Sequence, residues 1–267
     1  LADQPPLAPW PYLHWTAADS RSGDAKPRRE APVRACRTRS AAQWEPWQQD
    51  RKETLGQPTQ QQVNHLMSDS VIHAAPEPAH IRIVLLHGWG ADAGDLMPLG
   101  DELANASAVS AECVGLQAPE PHPGGQGKQW YGLFPADWQA VPSAVSQLRT
   151  RIEQLDLESI PLSRTVLIGF SQGGAMALHV GCSLPLAGVI GCSSYPHPQW
   201  LPPANRPPVL LLHGRNDDVV PLAAAERLQE LLKPGSNACH LHTFCGGHTI
   251  PSEAQDAMTE VIGSWLE

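Results

Sequence analysis

The sequence TVLIGFSQGG, residues 165–174, joins an aliphatic, β-branched run to a glycine-rich turn. The run predicts a buried strand, and the stretch 175–182 that follows it predicts a helix. The turn fits the pattern G-x-S-x-G, whose two glycines allow a sharp strand-to-helix bend that lifts the hydroxyl of Ser171 above the sheet. A glycine-rich packing turn is the alternative, but a strand before the turn and a helix after it are the context that a nucleophilic serine requires.

The segments on both sides of this unit alternate between strand and helix patterns. Apolar runs predict further strands over 81–86, 112–116, 187–192, 209–212 and 239–244. Helices are predicted over 95–105, 144–155, 222–232 and from Pro251 to the end of the chain, and a long Pro/Gly-rich loop over 117–142. Strands that alternate with helices predict an α/β fold, with a mostly parallel central sheet and helices on both faces. The chemistry of such folds lies in loops beyond the carboxyl ends of the strands.

A serine hydroxyl is a poor nucleophile at neutral pH, so it needs a histidine base and a carboxylate that orients the base. These partners follow the serine along the chain in the order acid, then histidine. The strand over 209–212 is followed by a loop with two candidate acids, Asp217 and Asp218. The last strand is followed by a glycine loop that carries His248. The other histidines in helix or strand patterns are more simply interpreted as structural.

Acyl transfer also needs two backbone N–H groups that stabilise the tetrahedral oxyanion. One is expected from Gln172, the residue after the serine, and the other from Trp89 in the loop after the first strand. Their side chains need no part in this role. His87, at the start of the same loop, is interpreted as a brace for the loop rather than as a second base.

The 267 residues carry a formal net charge of −9, and 42% of them are apolar. This balance is typical of a globular enzyme or binder and argues against nucleic acid as a partner. The aliphatic runs are too short to span a bilayer, so no integral membrane contact is expected. The six cysteines form no C-x-x-C pair and have no zinc-ligand spacing, which predicts no metal site and a reducing, cytoplasmic location.

Residues 1–66 differ in composition from the rest of the chain. They contain only seven Ile, Leu, Val, Met or Phe residues, against nine Lys/Arg and seven Asp/Glu. A segment so poor in aliphatic residues cannot offset its ordering entropy by burial. We therefore expect 1–66 to be a disordered leader or non-native upstream sequence, and 67–267 to be the single globular domain, with a net charge of −11.

Five sequence blocks together resemble the phospholipase/carboxylesterase family of α/β-hydrolases, whose best-known members are acyl-protein thioesterases. The blocks are LHGWGAD at 86–92, APEP at 118–121 with QWYG at 129–132, GFSQGGAMA at 169–177, HGRNDDVVP at 213–221 and GHTIP at 247–251. The resemblance implies an α/β-hydrolase without a large lid domain. It also selects Asp217 over Asp218, so the implied catalytic triad is Ser171, Asp217 and His248. One departure is Gly132, where the family often has an acidic residue, and this bears on the adjacent loop and on substrate preference.

The resemblance implies a serine hydrolase that cleaves carboxylic esters or thioesters through an acyl-enzyme on Ser171, as a carboxylesterase, acyl-protein thioesterase or lysophospholipase does. The implied substrate is a small molecule or an acylated protein, and neither a metal ion nor an organic cofactor is needed. A lactone hydrolase or peptidase on the same scaffold is one alternative. A non-catalytic binding protein is another, less favoured because all three triad candidates are present. The sequence leaves the oligomeric state open, as monomer or homodimer.

Apolar residues of the long loop are candidates for an acyl-chain groove, namely Trp130, Tyr131, Leu133 and Phe134. Such side chains beside the site offer the apolar surface that an acyl chain requires. The equal alternative is that they anchor a long loop to the core.

Overall fold

A computed structural model describes residues 70–73, 78–107, 110–156, 160–235 and 237–266. The segment 1–66, which composition sets apart, lies outside the described residues. The division of the chain at residue 67 therefore stays a prediction.

The described residues form nine strands. In chain order they are β1 (Ser70–His73), β2 (Ile81–Leu86), β3 (Ala111–Leu116), β4 (Glu120–Pro121), β5 (Lys128–Gln129), β6 (Thr165–Phe170), β7 (Gly188–Cys192), β8 (Val209–Gly214) and β9 (Cys239–Phe244). Strands β4 and β5 pair as a short antiparallel hairpin. The other seven form one sheet in the order β1-β3-β2-β6-β7-β8-β9, in which β1 runs antiparallel to β3 and the remaining pairs are parallel.

Five α-helices cover the sheet within the described residues. They are α1 (Met97–Ala106), α2 (Val141–Leu155), α3 (Gln172–Gly181), α4 (Leu222–Leu232) and α5 (Ser252–Leu266). Helices α1 and α5 join a buried cluster that contains Ile83 and Ile168. Helix α3 packs on the opposite face, where Gly181 lies against Leu167 and Val189. Alternate residues of the same strands thus serve two apolar layers, and the predicted α/β class is confirmed.

Three strands of the structure, β1, β4 and β5, were not predicted from the sequence. Strand β1 is a four-residue edge strand, half buried to exposed, whose short SVIH pattern carries no long apolar run. The β4–β5 hairpin lies inside the stretch 117–142, which was predicted to be a loop throughout. Helix α3 begins at Gln172, three residues before its predicted start, and α5 begins one residue after Pro251.

The parallel strands place their carboxyl ends at one edge of the sheet. The loops that follow β2, β6, β8 and β9 carry the candidate site residues and so meet at that edge. No helix among the described residues combines the length and apolar character that crossing a membrane would require.

Candidate active site

Ser171 lies at the turn between β6 and α3. Its backbone has φ 54° and ψ −118°, a strained conformation that costs a non-glycine residue about 1–3 kcal/mol. The turn is held by the Ser171 N–H, which donates to the Cys192 carbonyl at 2.8 Å. It also needs glycine at position 173, because a Cβ there would lie 2.2 Å from the Leu86 carbonyl oxygen. The result is a serine at the apex of the predicted strand–turn–helix unit, 7% exposed.

His248 and Asp217 are paired at the same edge of the sheet. The Nδ1–H of His248 donates to Oδ2 of Asp217 at 2.8 Å. A hydrogen bond of this kind fixes the imidazole tautomer and leaves Nε2 free to accept a proton. The neighbouring Asp218 is exposed, so the pairing involves the acid that the family resemblance selects.

The carboxylate of Asp217 is buried and well supplied with donors. Its Oδ1 accepts the N–H of Val219 at 3.0 Å and the N–H of Val220 at 2.8 Å. Burial by itself raises the pKa of Asp217, but the hydrogen bonds from His248 and Val220 outweigh burial, and the net pKa lies below its usual value. Asp217 is therefore ionised at neutral pH, as a partner for a protonated imidazole must be.

The loops that carry Asp217 and His248 are joined backbone to backbone. The Arg215 N–H donates to the Phe244 carbonyl and the Asn216 N–H to the Gly246 carbonyl, both at 2.9 Å. Glycine at position 214 permits this approach, because a Cβ there would lie 2.3 Å from the Gly247 carbonyl oxygen. The backbone at the sheet edge therefore fixes how the acid and the base meet.

Phe170, the residue before the serine, connects the turn to the imidazole. Its ring packs against His248 with the centroids 4.7 Å apart. Among the described residues, no hydrogen bond joins the Ser171 hydroxyl to His248. In enzymes without substrate such bonds are often long, and they tighten when the substrate binds.

The loop after β2 lies directly against the serine. A Cβ on Gly88 would lie 3.6 Å from the Cβ of Ser171. Gln172 is the first residue of α3, so its N–H has no partner inside the helix. The Trp89 N–H donates to no other backbone group in the described part of the chain. Two such N–H groups on segments that flank a serine suit the binding of an oxyanion.

His87 braces the loop after β2, in agreement with its interpretation from sequence. Its Nδ1–H donates to the Gly88 carbonyl at 2.8 Å, and its Nε2 accepts the Ala118 N–H at 3.1 Å. Burial lowers the pKa of His87, which keeps the ring neutral as both bonds require.

The Gln172 side chain has a role that the sequence did not reveal. Its amide oxygen accepts the Trp130 N–H at 3.0 Å, and its amide N–H donates to the Tyr131 carbonyl at 2.8 Å. The residue after the serine therefore ties the long loop to the serine turn. A fully buried glutamine is uncommon, but burial at this position is a property of the tertiary structure.

The four groove candidates differ in exposure. Trp130, Tyr131 and Leu133 are buried, and the indole N–H of Trp130 donates to the His87 carbonyl at 2.9 Å. These three hold the loop to the core. Phe134 is 39% exposed and contacts the Trp89 ring edge-on at a centroid distance of 5.1 Å. Phe134 and the half-buried Trp89 thus present accessible apolar surface next to Gly88, which faces Ser171.

A chain of polar groups, buried except at the half-buried His179, supports the long loop. The Tyr131 hydroxyl is hydrogen-bonded to the Tyr195 hydroxyl at 2.7 Å and to Nε2 of His197 at 2.9 Å. Nδ1 of His197 is hydrogen-bonded to Nδ1 of His179 at 2.8 Å. Burial lowers the pKa of His197 to about 3 and that of His179 to about 4, so both rings are neutral. No periodic pattern in the sequence connects these residues, so this chain of contacts was not predicted.

Comparison with known proteins identifies the family of the chain. A model of the phospholipase/carboxylesterase family matches residues 67–266. Acyl-protein thioesterase 1 of Gibberella zeae is 36% identical over 125 residues, which are 43% of this chain and 53% of that protein. The chain thus spans about half the length of this curated relative.

Solved structures match over a larger share of their length. Esterase PE8 is 30% identical with a TM-score of 0.66, and the match covers 74% of this chain and 99% of that one. A Bacillus cereus carboxylesterase is 19% identical with a TM-score of 0.65, over 76% of this chain and 99% of that one. The second likeness bears on the fold alone, and together the two confirm the predicted α/β-hydrolase fold.

Proposed function

The chain belongs to the phospholipase/carboxylesterase family, and on that premise we propose that it hydrolyses carboxylic esters or thioesters through an acyl-enzyme on Ser171. The observation that carries the proposal is the His248–Asp217 hydrogen bond beside a strained serine turn. A binding protein without activity would need neither the strain at Ser171 nor an ionised buried acid behind a histidine.

In the first step the Ser171 oxygen attacks the carbonyl carbon, and Nε2 of His248 accepts the hydroxyl proton. The C–O⁻ of the tetrahedral intermediate accepts the N–H groups of Trp89 and Gln172. Asp217 stabilises the imidazolium that forms. The intermediate collapses as the bond to the alcohol or thiol breaks, and the leaving group takes the proton from His248.

In the second step water releases the acid. Nε2 of His248 takes a proton from the water as its oxygen attacks the acyl carbon, and the same two N–H groups bind the oxyanion. Collapse of the intermediate breaks the bond to Ser171, whose oxygen recovers the proton from His248. The enzyme returns to its starting state, and no step requires an oxidant or reductant.

We assign the acyl chain to the surface formed by Phe134 and Trp89. Trp89 carries an oxyanion donor on its backbone, and its indole N–H donates to Oε1 of Gln129 at 2.9 Å, which fixes the ring. The Phe134 ring contacts that ring edge-on and remains 39% exposed. An acyl chain that leaves the carbonyl on this side would bury both rings.

The deciding experiment is labelling with a fluorophosphonate probe, which reacts with activated serines. We expect the wild-type protein and the control Ser146→Ala, an exposed position in α2, to be labelled equally. We expect Ser171→Ala to lose labelling and to lose ester turnover by a factor of about 10⁴ or more. A folded wild-type protein that is not labelled would refute the proposal.

The substrate class is tested with p-nitrophenyl esters and acyl thioesters of increasing chain length. We expect hydrolysis of both classes, with kcat/KM rising from acetyl to longer chains because each added methylene is worth up to about 0.8 kcal/mol when buried. Lactone or amide substrates that are cleaved faster than all acyl esters would favour the alternative hydrolases over this assignment.

A further inference from the structure

His213 lies in β8 behind the acid of the candidate triad, and its side chain is fully buried. Its Nε2 lies 2.8 Å from the Val220 carbonyl oxygen. Because a carbonyl only accepts, Nε2 carries the proton and donates it to Val220. The same Nε2 lies 3.6 Å from Oδ2 of Asp217.

Val220 is therefore held on both sides of its Cα. Its N–H donates to Oδ1 of Asp217 at 2.8 Å, and its carbonyl accepts the proton of His213. The imidazole thus anchors the end of the loop 214–220 at Val220, the residue whose N–H binds the Asp217 carboxylate. The Nε2–H group of His213 also lies close to the carboxylate that is paired with His248, although its proton is donated to Val220.

The second nitrogen of this ring, Nδ1, makes histidine costly at this position. Nδ1 of His213 is buried and has no hydrogen-bond partner among the described residues. An unpaired buried acceptor destabilises a fold, and an apolar side chain of similar volume would avoid that cost. Burial therefore does not favour histidine over an apolar residue here. What histidine adds is the Nε2–H group, which binds the Val220 carbonyl.

We propose that His213 is a positioning residue for catalysis: through Val220 it holds the carboxylate of Asp217 in place for His248. The inference rests on the proposed function, because it concerns the same triad. His213 touches neither the substrate nor the serine in this scheme. It acts through the loop that presents the acid.

Three variants separate this role from a purely structural one. In His213→Gln the amide nitrogen stands near the place of Nε2 and can donate to Val220. In His213→Asn the amide is polar but too short to reach Val220, and in His213→Leu the space is filled without a donor. We expect kcat for p-nitrophenyl butyrate to fall 10- to 100-fold in the Leu and Asn variants with KM within twofold, and to stay within about threefold in the Gln variant.

Turnover is normalised to the folded fraction measured by circular dichroism, so a loss of fold is not counted as a loss of catalysis. The proton shared by His248 and Asp217 provides a second readout by proton NMR. We expect its far-downfield resonance in the wild type and in His213→Gln, and its loss in the Leu and Asn variants. A role confined to stability would lower the folded fraction but leave the resonance and kcat unchanged.

The outcomes distinguish this inference from the proposed function. A wild-type protein that neither hydrolyses esters nor reacts with fluorophosphonate would remove the proposed function. Suppose instead that the wild type does both and that the Leu and Asn variants match its kcat per folded molecule. This result would overturn the role of His213 and leave the proposed function standing. If the Leu variant fails to fold, an Asn variant whose kcat equals that of the Gln variant would overturn that role in the same way.

Discussion

Asp217 and Asp218 are adjacent, chemically identical residues whose surroundings give them different properties. Asp217 is buried and accepts hydrogen bonds from His248, Val219 and Val220, whereas Asp218 is exposed to solvent. The residues alone left the choice between them open, because burial depends on how the loop folds back over β8. The family resemblance selected the acid that the structure pairs with His248.

This difference predicts that the same substitution, Asp to Asn, is severe at position 217 and harmless at position 218. Asp217→Asn keeps the shape of the side chain but removes the charge and one acceptor, so His248 loses its orientation and the support for its protonated form. We expect kcat to fall by about 10⁴-fold in steady-state assays with p-nitrophenyl butyrate. Asp218→Asn is expected to stay within twofold of wild type. Equal losses in both variants would show that the carboxylates share the role.

Gln172 has a side-chain role in addition to the backbone role that we propose for it. Its amide pairs with Trp130 and Tyr131, so Gln172→Ala frees the loop that carries Phe134. We expect kcat/KM to fall about tenfold for an octanoyl ester and less than threefold for an acetyl ester, because only the long chain reaches Phe134. The control Gln147→Ala changes an exposed glutamine of α2 and should leave both values unchanged. Equal losses for the two esters would point to the oxyanion N–H instead of the loop.

At the scale of elements, apolar patterning predicted the six parallel strands of the main sheet, of which β9 at the edge is only partly buried. β2, β6 and β9 have the predicted bounds, and β7 and β8 differ by one or two residues at one end. Strand β1 was missed because it exists through pairing with the distant β3, and the β4–β5 hairpin because its two-residue strands carry no apolar run of their own. The candidate site shows the same difference between what motifs predict and what packing decides. Motifs identified its chemical groups. The bonds of the Gln172 amide to the long loop and the Tyr131–His197 hydrogen bond depend on packing that sequence spacing does not encode.

The contact between the acid loop and the histidine loop depends on Gly214. In Gly214→Ala the new Cβ would press on the Gly247 carbonyl oxygen at 2.3 Å and move the loop of His248. We expect kcat to fall at least 100-fold, measured with p-nitrophenyl butyrate on folded protein. The same substitution at Gly263, in α5 with nothing within 4 Å, should leave kcat unchanged and raise the free energy of unfolding by up to about 1 kcal/mol. Full activity in Gly214→Ala would mean that the two loops tolerate separation.

At the scale of the whole molecule, the compositional difference between 1–66 and the remainder predicts that the leader is dispensable. All described strands and helices lie at or beyond Ser70, and the family match covers 67–266. We expect a chain that begins at Met67 to keep kcat/KM within twofold and its melting temperature within about 2 °C. A chain that begins at residue 78 also lacks β1 and exposes the edge of β3, so its melting temperature should fall by several degrees. Loss of activity in the chain from Met67 would assign a role to the leader.

The buried His197 predicts how the stability of the whole molecule depends on pH. Burial lowers its pKa to about 3, against about 6.5 in an unfolded chain. As the pH falls below 6.5, the unfolded state binds a proton at His197 that the folded state excludes. With respect to this group, the free energy of unfolding is therefore highest above pH 6.5 and decreases below it. From pH 7 to pH 5 this group alone should lower the free energy of unfolding by about 2 kcal/mol, measured by urea denaturation.

A matched variant isolates the contribution of His197 from that of the other groups that titrate in this range. His197→Gln keeps an amide that can bond to the Tyr131 hydroxyl but carries no charge at any pH, although it is expected to lower stability at pH 7 through poorer packing. The loss between pH 7 and pH 5 should therefore be smaller in the variant by about 2 kcal/mol. His179 remains in the variant and continues to resist protonation, since burial holds its pKa at about 4. An unchanged pH dependence in His197→Gln would mean that the ring of His197 accepts a proton without unfolding, and that the chain from Tyr195 to His179 opens to water in the native state.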